Sequence, residues 1–166
     1  MEKKFLLAVY VDNKAGVLTR VSAMFTRRGF NIDSITSGGT DIPEYARITI
    51  GLNGDEYVKE QLINQLKKLY VVKKVQVLDD EPITRELMLI KVNNKAESRS
   101  EIMTAVDVFR ASVIDYSPEA MCIEVTGSPS KMNAFVKLMQ PFGILEMCRT
   151  GIVALDRGAT TLLNKQ

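Results

Sequence analysis

The side chains that could do chemistry are few, and one type is missing. The 166-residue chain has no histidine. That removes the commonest general base at neutral pH and the commonest transition-metal ligand. It also excludes nucleophiles activated by serine–histidine or cysteine–histidine pairing. Two cysteines, Cys122 and Cys148, are too few for a disulfide framework. Both lie in apolar stretches and read as buried thiols rather than ligands. Neither the phosphate-loop pattern GxxxxGK[ST] nor GxGxxG occurs. Asp79-Asp80-Glu81 could hold a hard cation, although a charged run ending in Pro82 also has the composition of a solvated linker. Asp55-Glu56 suits a helix start, where carboxylates meet the positive end of the dipole.

One segment has the makings of a binding loop: Asp12-Asn13-Lys14-Ala15-Gly16-Val17-Leu18. It falls between an apolar, β-branched run and an amphipathic one, so it joins a strand to a helix. Gly16 permits a tight turn and a close approach of backbone to ligand. The amides of Val17 and Leu18 would be unpaired donors at the helix N-terminus, suited to a carboxylate. Asn13 carries an oxygen for an ammonium and a nitrogen for a carboxylate. Together they suit a free amino acid, although glycine in such a loop is also the mark of an ordinary turn. Ser37-Gly38-Gly39-Thr40 is glycine-rich but lies between two strands, which favours a turn.

The elements that would position this loop form two units of one plan. In the first, a strand over Phe5 to Asp12 precedes a helix over Val17 to Arg28. Val17, Val21, Met24 and Phe25 share one face of that helix, and Gly29 stops it. Strands over Asn31 to Ser37 and Tyr45 to Leu52 follow, then a helix over Asp55 to Leu69 and a strand over Val71 to Leu78. The order is βαββαβ, the ferredoxin-like arrangement. The second unit repeats it. A strand over Glu86 to Asn93 comes first. The next helix has Ser98 and Glu101 placed for a capping box. Strands near Ser112 to Tyr116 and Ala120 to Thr126 follow, then a helix started by Ser128-Pro129. The closing strand runs over Ile144 to Leu155, with an interruption at Gly151. The expected fold class is α+β, two tandem ferredoxin-like domains over 4–79 and 80–166, with a frayed tail from Asp156.

The formal net charge of +2 is too small to argue for nucleic acid or a membrane surface. Phe5 to Val11, the longest apolar run, has seven residues, against about 20 for a membrane span. The start lacks a signal-peptide pattern. These features point to the cytoplasm.

The loop also carries a resemblance. Asp12 to Leu18 resembles the ligand loop of ACT domains, βαββαβ modules that bind amino acids. Arg20-Val21, Phe25 and Arg28-Gly29-Phe30-Asn31-Ile32-Asp33-Ser34-Ile35 are similar to the small regulatory subunits of acetolactate synthase, as are Thr40-Asp41, Arg47-Ile48-Thr49-Ile50 and Gln65-Leu66-Lys67-Lys68-Leu69. In the second half, Arg85 to Val92, Phe109-Arg110 and Arg149 to Leu155 with Arg157-Gly158 fit the same family, in collinear order. The resemblance implies a non-catalytic subunit. It would activate a separate thiamine diphosphate-dependent catalytic subunit and confer feedback inhibition by a branched-chain amino acid, typically valine. Thiamine diphosphate, Mg and FAD would belong to that partner, with no cofactor in this chain. It further implies a homodimer whose effector site comprises Asn13, Lys14, Ala15, Gly16, Val17 and Leu18, with Asn31 and Ile32 from the neighbouring chain and Gly38 in the pocket wall. Many relatives have Ala-Pro where Gly38-Gly39 stands, which implies a smaller wall here and leaves the effector's identity open. The alternative is a stand-alone ACT-type amino-acid sensor governing transcription. It would need a DNA-reading module, and neither a helix-turn-helix pattern nor a basic face is visible in the sequence.

Overall fold

A computed structural model describes residues 3–164. It divides into two units. Among the described residues, one takes 3–83 together with 152–164; the other is Thr84–Gly151.

The first unit runs β1 (Lys3–Asp12), α1 (Val17–Arg28), β2 (Ser34–Gly39), β3 (Tyr45–Gly54), α2 (Glu56–Lys67) and β4 (Val72–Val77). The strands form an antiparallel sheet in the order β2-β3-β1-β4. Strand alternation explains the packing. Phe5, Leu7, Val9 and Val11 of β1, with Ala46, Ile48, Ile50 and Leu52 of β3, point to one face. There they bury against Val17, Val21, Met24 and Phe25 of α1 and Leu62 and Leu66 of α2. α1 ends where Gly29 takes the left-handed conformation (φ 68°), so that its N–H reaches the Phe25 and Thr26 carbonyls. α2 starts on Asp55, whose carboxylate accepts from the Val58 N–H at 2.9 Å. β2 begins at Ser34, three residues later than the periodicity predicts. Asn31 to Asp33 are instead a connection, held where the Asp33 N–H donates to the Gly51 carbonyl.

The second unit runs β5 (Ile83–Asn93), α3 (Arg99–Val108), β6 (Ser112–Tyr116), β7 (Ala120–Gly127), α4 (Pro129–Met139) and β8 (Ile144–Arg149). Its strand order is β6-β7-β5-β8, again antiparallel. Met88, Ile90 and Val92 of β5 and Met121, Ile123 and Val125 of β7 bury against Ile102, Ala105 and Val106 of α3 and Met132, Phe135 and Met139 of α4. Phe109 meets Phe135 edge-on, with ring centroids 5.1 Å apart. Ser128 caps α4 as its sequence predicts, accepting from the Lys131 N–H. Ser98 does not cap α3. Its backbone is already helical, and its hydroxyl turns back to the Lys95 carbonyl. The turn from Lys95 supplies the helix start in place of the capping box.

The chain interrupts its closing run after Arg149, passes Gly151 and resumes as β9 (Val153–Leu155). The expected boundary gave all of 80–166 to the second domain. The residues from Ile152 onward group with the first unit because its sheet has a second apolar face to cover. Ala154 and Leu162 are buried there with Ala8 and Leu78, beside Leu6, Tyr10 and Ile152.

Candidate effector site

The 12–18 loop hangs between two neighbouring strands. The Asp12 N–H donates to the Val71 carbonyl at 2.9 Å, and the Asp12 carboxylate pairs with Lys73 at 3.1 Å. The Asn13 N–H donates to the Glu44 carbonyl at 2.8 Å. Its side-chain Nδ2 donates to the Pro43 carbonyl at 3.0 Å, which leaves Oδ1 as the atom available to a ligand. Asn13, Lys14, Ala15 and Gly16 are exposed. Gly16 sits at φ 82°, and a Cβ there would meet nothing within 4 Å. It therefore turns the chain into α1 while leaving open space above the helix start. Val17 is buried in the core and Leu18 is 47% exposed. The Arg20 N–H is the donor to the Gly16 carbonyl, so the amides of Val17 and Leu18 precede the helical hydrogen-bond ladder. Val17 N–H has only a long contact, 3.4 Å, to the Lys14 carbonyl.

Strand register places the remaining candidates. Asp12 pairs with Tyr45 at the loop's end of the sheet. Gly38 pairs with Arg47, which in turn pairs with Tyr10, so Gly38 lies at that same end. Its backbone is extended and a Cβ would meet nothing within 4 Å. Asn31 and Ile32 precede Ser34, which pairs with Gly51. Gly51 lies six residues beyond Tyr45 on β3, about 20 Å along the sheet. Within one chain, then, Asn13 to Leu18 and Gly38 lie at one end of the sheet, with β3 between them, while Asn31 and Ile32 stand at the opposite end. Both groups flank β2, an edge strand whose Ser37, Gly38 and Gly39 are exposed.

Sequence reasoning missed Arg47 and Tyr10 as neighbours of this end. The signal was an arginine set between Ala46 and Ile48 as the one charged residue of its strand. The Arg47 Nη2 donates to the Ala154 carbonyl at 2.8 Å. Burial lowers its pKa from the usual arginine value, opposed by the nearby Tyr10 and Asp156 oxygens. Tyr10 meets Tyr45 edge-on at 6.2 Å, and Arg20 lies over the Tyr70 ring at 4.7 Å. Among the described residues no group of three or more cysteines or carboxylates is placed to hold a metal ion. No described helix is long and apolar enough to cross a membrane.

Comparison with known proteins places both units. A family model described as the ACT domain of acetohydroxyacid synthase small subunits matches residues 7–74. Another, for the small subunit of acetolactate synthase, matches residues 85–158. The acetolactate synthase small subunit of Mycobacterium bovis is 46% identical over 157 residues, 94% of either chain. A probable small subunit from Archaeoglobus fulgidus is 46% identical over 155 residues, covering 93% of this chain and 98% of its own. The crystal structure of the small subunit from Thermotoga maritima superposes with a TM-score of 0.90 at 40% identity, covering 95% of this chain and 99% of that one. A chain matched along nearly its whole length, in sequence and in fold, belongs to the acetolactate synthase small-subunit family.

Proposed function

We propose that this chain is the regulatory subunit of acetolactate synthase, without catalytic activity of its own. It raises the activity of a separate catalytic subunit and makes it subject to feedback inhibition by a branched-chain amino acid, valine first. Family membership supports the partnership. Thiamine diphosphate, Mg and FAD belong to that partner, and the two proteins meet in the cytoplasm.

The observation that carries the effector reading is the separation of Asn31 and Ile32 from the Asn13–Leu18 loop along one sheet. A second copy resolves it. If two β2 edges lie side by side and antiparallel, the start of one β2 meets the end of the other. Asn31 and Ile32 of one copy then face the loop and Gly38 of its neighbour. The effector carboxylate sits at the Val17 and Leu18 amides, where bare Gly16 leaves room and the helix dipole favours negative charge. Asn13 Oδ1 accepts from the ammonium, its nitrogen being committed to Pro43. Because the site spans two copies, occupancy biases one dimer arrangement over another. A coupling of about 1–3 kcal/mol is sufficient.

The test is a rate assay. The purified catalytic subunit is titrated with this chain, with and without valine, leucine and isoleucine. Stimulation that valine reverses is expected. No stimulation at any ratio of the two proteins would refute the reading.

A further inference from the structure

The first unit's sheet has a face turned away from α1 and α2, formed by Leu6, Ala8 and Tyr10 of β1 and by Arg47 and Thr49 of β3. Its centre is closed, with Ala8 0% and Thr49 4% exposed, while Leu6, Tyr10 and Arg47 are half-buried. What closes it includes residues 152–164, through buried Ala154 and Leu162. Polar ties hold the segment in place. The Asp79 N–H donates to Asp156 Oδ1 at 2.8 Å, Arg157 Nε to the Glu81 carbonyl at 2.9 Å, and Arg47 Nη2 to the Ala154 carbonyl at 2.8 Å. The last of these reaches the sheet next to the effector loop, where Lys74 Nζ of β4 also makes a long contact, 3.5 Å, to the Leu163 carbonyl. Arg47 is the cross-strand partner of Gly38 on one side and of Tyr10, two residues before Asp12, on the other.

We propose that Arg47 is a positioning residue for the effector response: by tying the 152–164 segment across β1 and β3, it fixes the end of the sheet from which Gly38 and the 12–18 loop extend. This rests on the effector reading above. The physical reason is ordering. A ligand that must immobilise Asn13 to Leu18 and the end of β2 loses less entropy if a strap already holds their roots. Arginine suits the task because its planar fork presents several fixed donors to a carbonyl, and it keeps its charge when half-buried. Docking of residues 152–164 therefore strengthens effector binding without those residues touching the effector.

The experiment is calorimetric titration of the full-length chain with L-valine. Arg47→Met is expected to raise the dissociation constant about tenfold, and Leu162→Asp, which unseats the strap from the other side, by about the same factor. The double variant should be no more than about twofold worse than the weaker single, since both remove one device. Arg47→Lys, which still reaches a carbonyl, should return binding to within about threefold of the unaltered chain. A general loss of stability would not distinguish lysine from methionine in this way. If Arg47→Met binds valine like the unaltered chain, or if the two losses add in full, the proposal is overturned while the site stands. Silence of the unaltered chain toward valine, leucine and isoleucine overturns the site reading and this inference with it.

Discussion

At the residue scale, Gly16 carries two demands: a left-handed backbone at φ 82° and empty space above the helix start. Aspartate tolerates the first better than most residues, at a cost of about 1 kcal/mol. It fails the second, since its carboxylate would occupy the place proposed for the effector's own and repel it. Gly16→Asp is therefore expected to fold, to lower the melting temperature by only a few degrees, and to abolish valine inhibition at concentrations that saturate the unaltered chain. Stimulation of the catalytic subunit should survive, because the substitution reaches neither the sheet nor the cores. Inhibition curves with the catalytic subunit check both halves; inhibition at the normal valine concentration would displace the site from this loop. Gly38 presents a different case. It is extended, and a Cβ there would meet nothing, so this chain's own backbone does not demand glycine. The residue can matter only to what lies outside its own fold.

At the element scale, β2 is where two copies meet in the proposed dimer, and unprotected strand edges invite pairing. Ser37 is exposed on this edge. Ser37→Lys would place like charges on two abutting strands. It is expected to weaken the dimer about tenfold or more at low salt, with recovery as ionic strength screens the repulsion. Sedimentation at several salt concentrations measures this. An unchanged, salt-independent dimer would place the interface on another element. The second unit contains a testable pair of its own. Glu86 is 6% exposed and is held by Arg149, which also reaches Asn133 of α4 at 2.8 Å. Arg149→Met would strand a buried carboxylate and should cost about 2–4 kcal/mol in urea unfolding. The elements differed in how plainly the sequence announced them. α1 was legible to the residue, since Gly16 and Gly29 bracket a clean four-residue apolar face. β2 was not, because Asn31-Ile32-Asp33 alternates like a strand but is tied to β3 through Asp33, with ladder pairing beginning only at Ser34. The α3 capping box failed because local spacing cannot report that a turn from Lys95 already leads into the helix.

At the scale of the whole molecule, the two-unit plan was legible because each unit repeats one alternation of strand and helix periods. The return of residues 152–164 to the first sheet was not, since two small anchors, Ala154 and Leu162, form no periodic pattern and their partners lie far back in the sequence. The proposed effector site poses the same kind of problem, because the two groups of residues assigned to it lie at opposite ends of one sheet. This permits a test that separates a site shared by two chains from one built within each. In a mixed dimer of a Gly16→Asp chain and an Asn31→Ala chain, a shared arrangement puts both lesions in one site and leaves the other site intact. Half the sites should then bind valine with the affinity of the unaltered protein, although neither parent homodimer does. Sites confined to single chains would carry one lesion each, and no full-affinity binding would return. Tagging the two chains differently, purifying the mixed dimer and titrating it with valine gives the count. Recovery near one site per two chains is the expected outcome, and recovery of none would require Asn31 and the Gly16 loop to act apart.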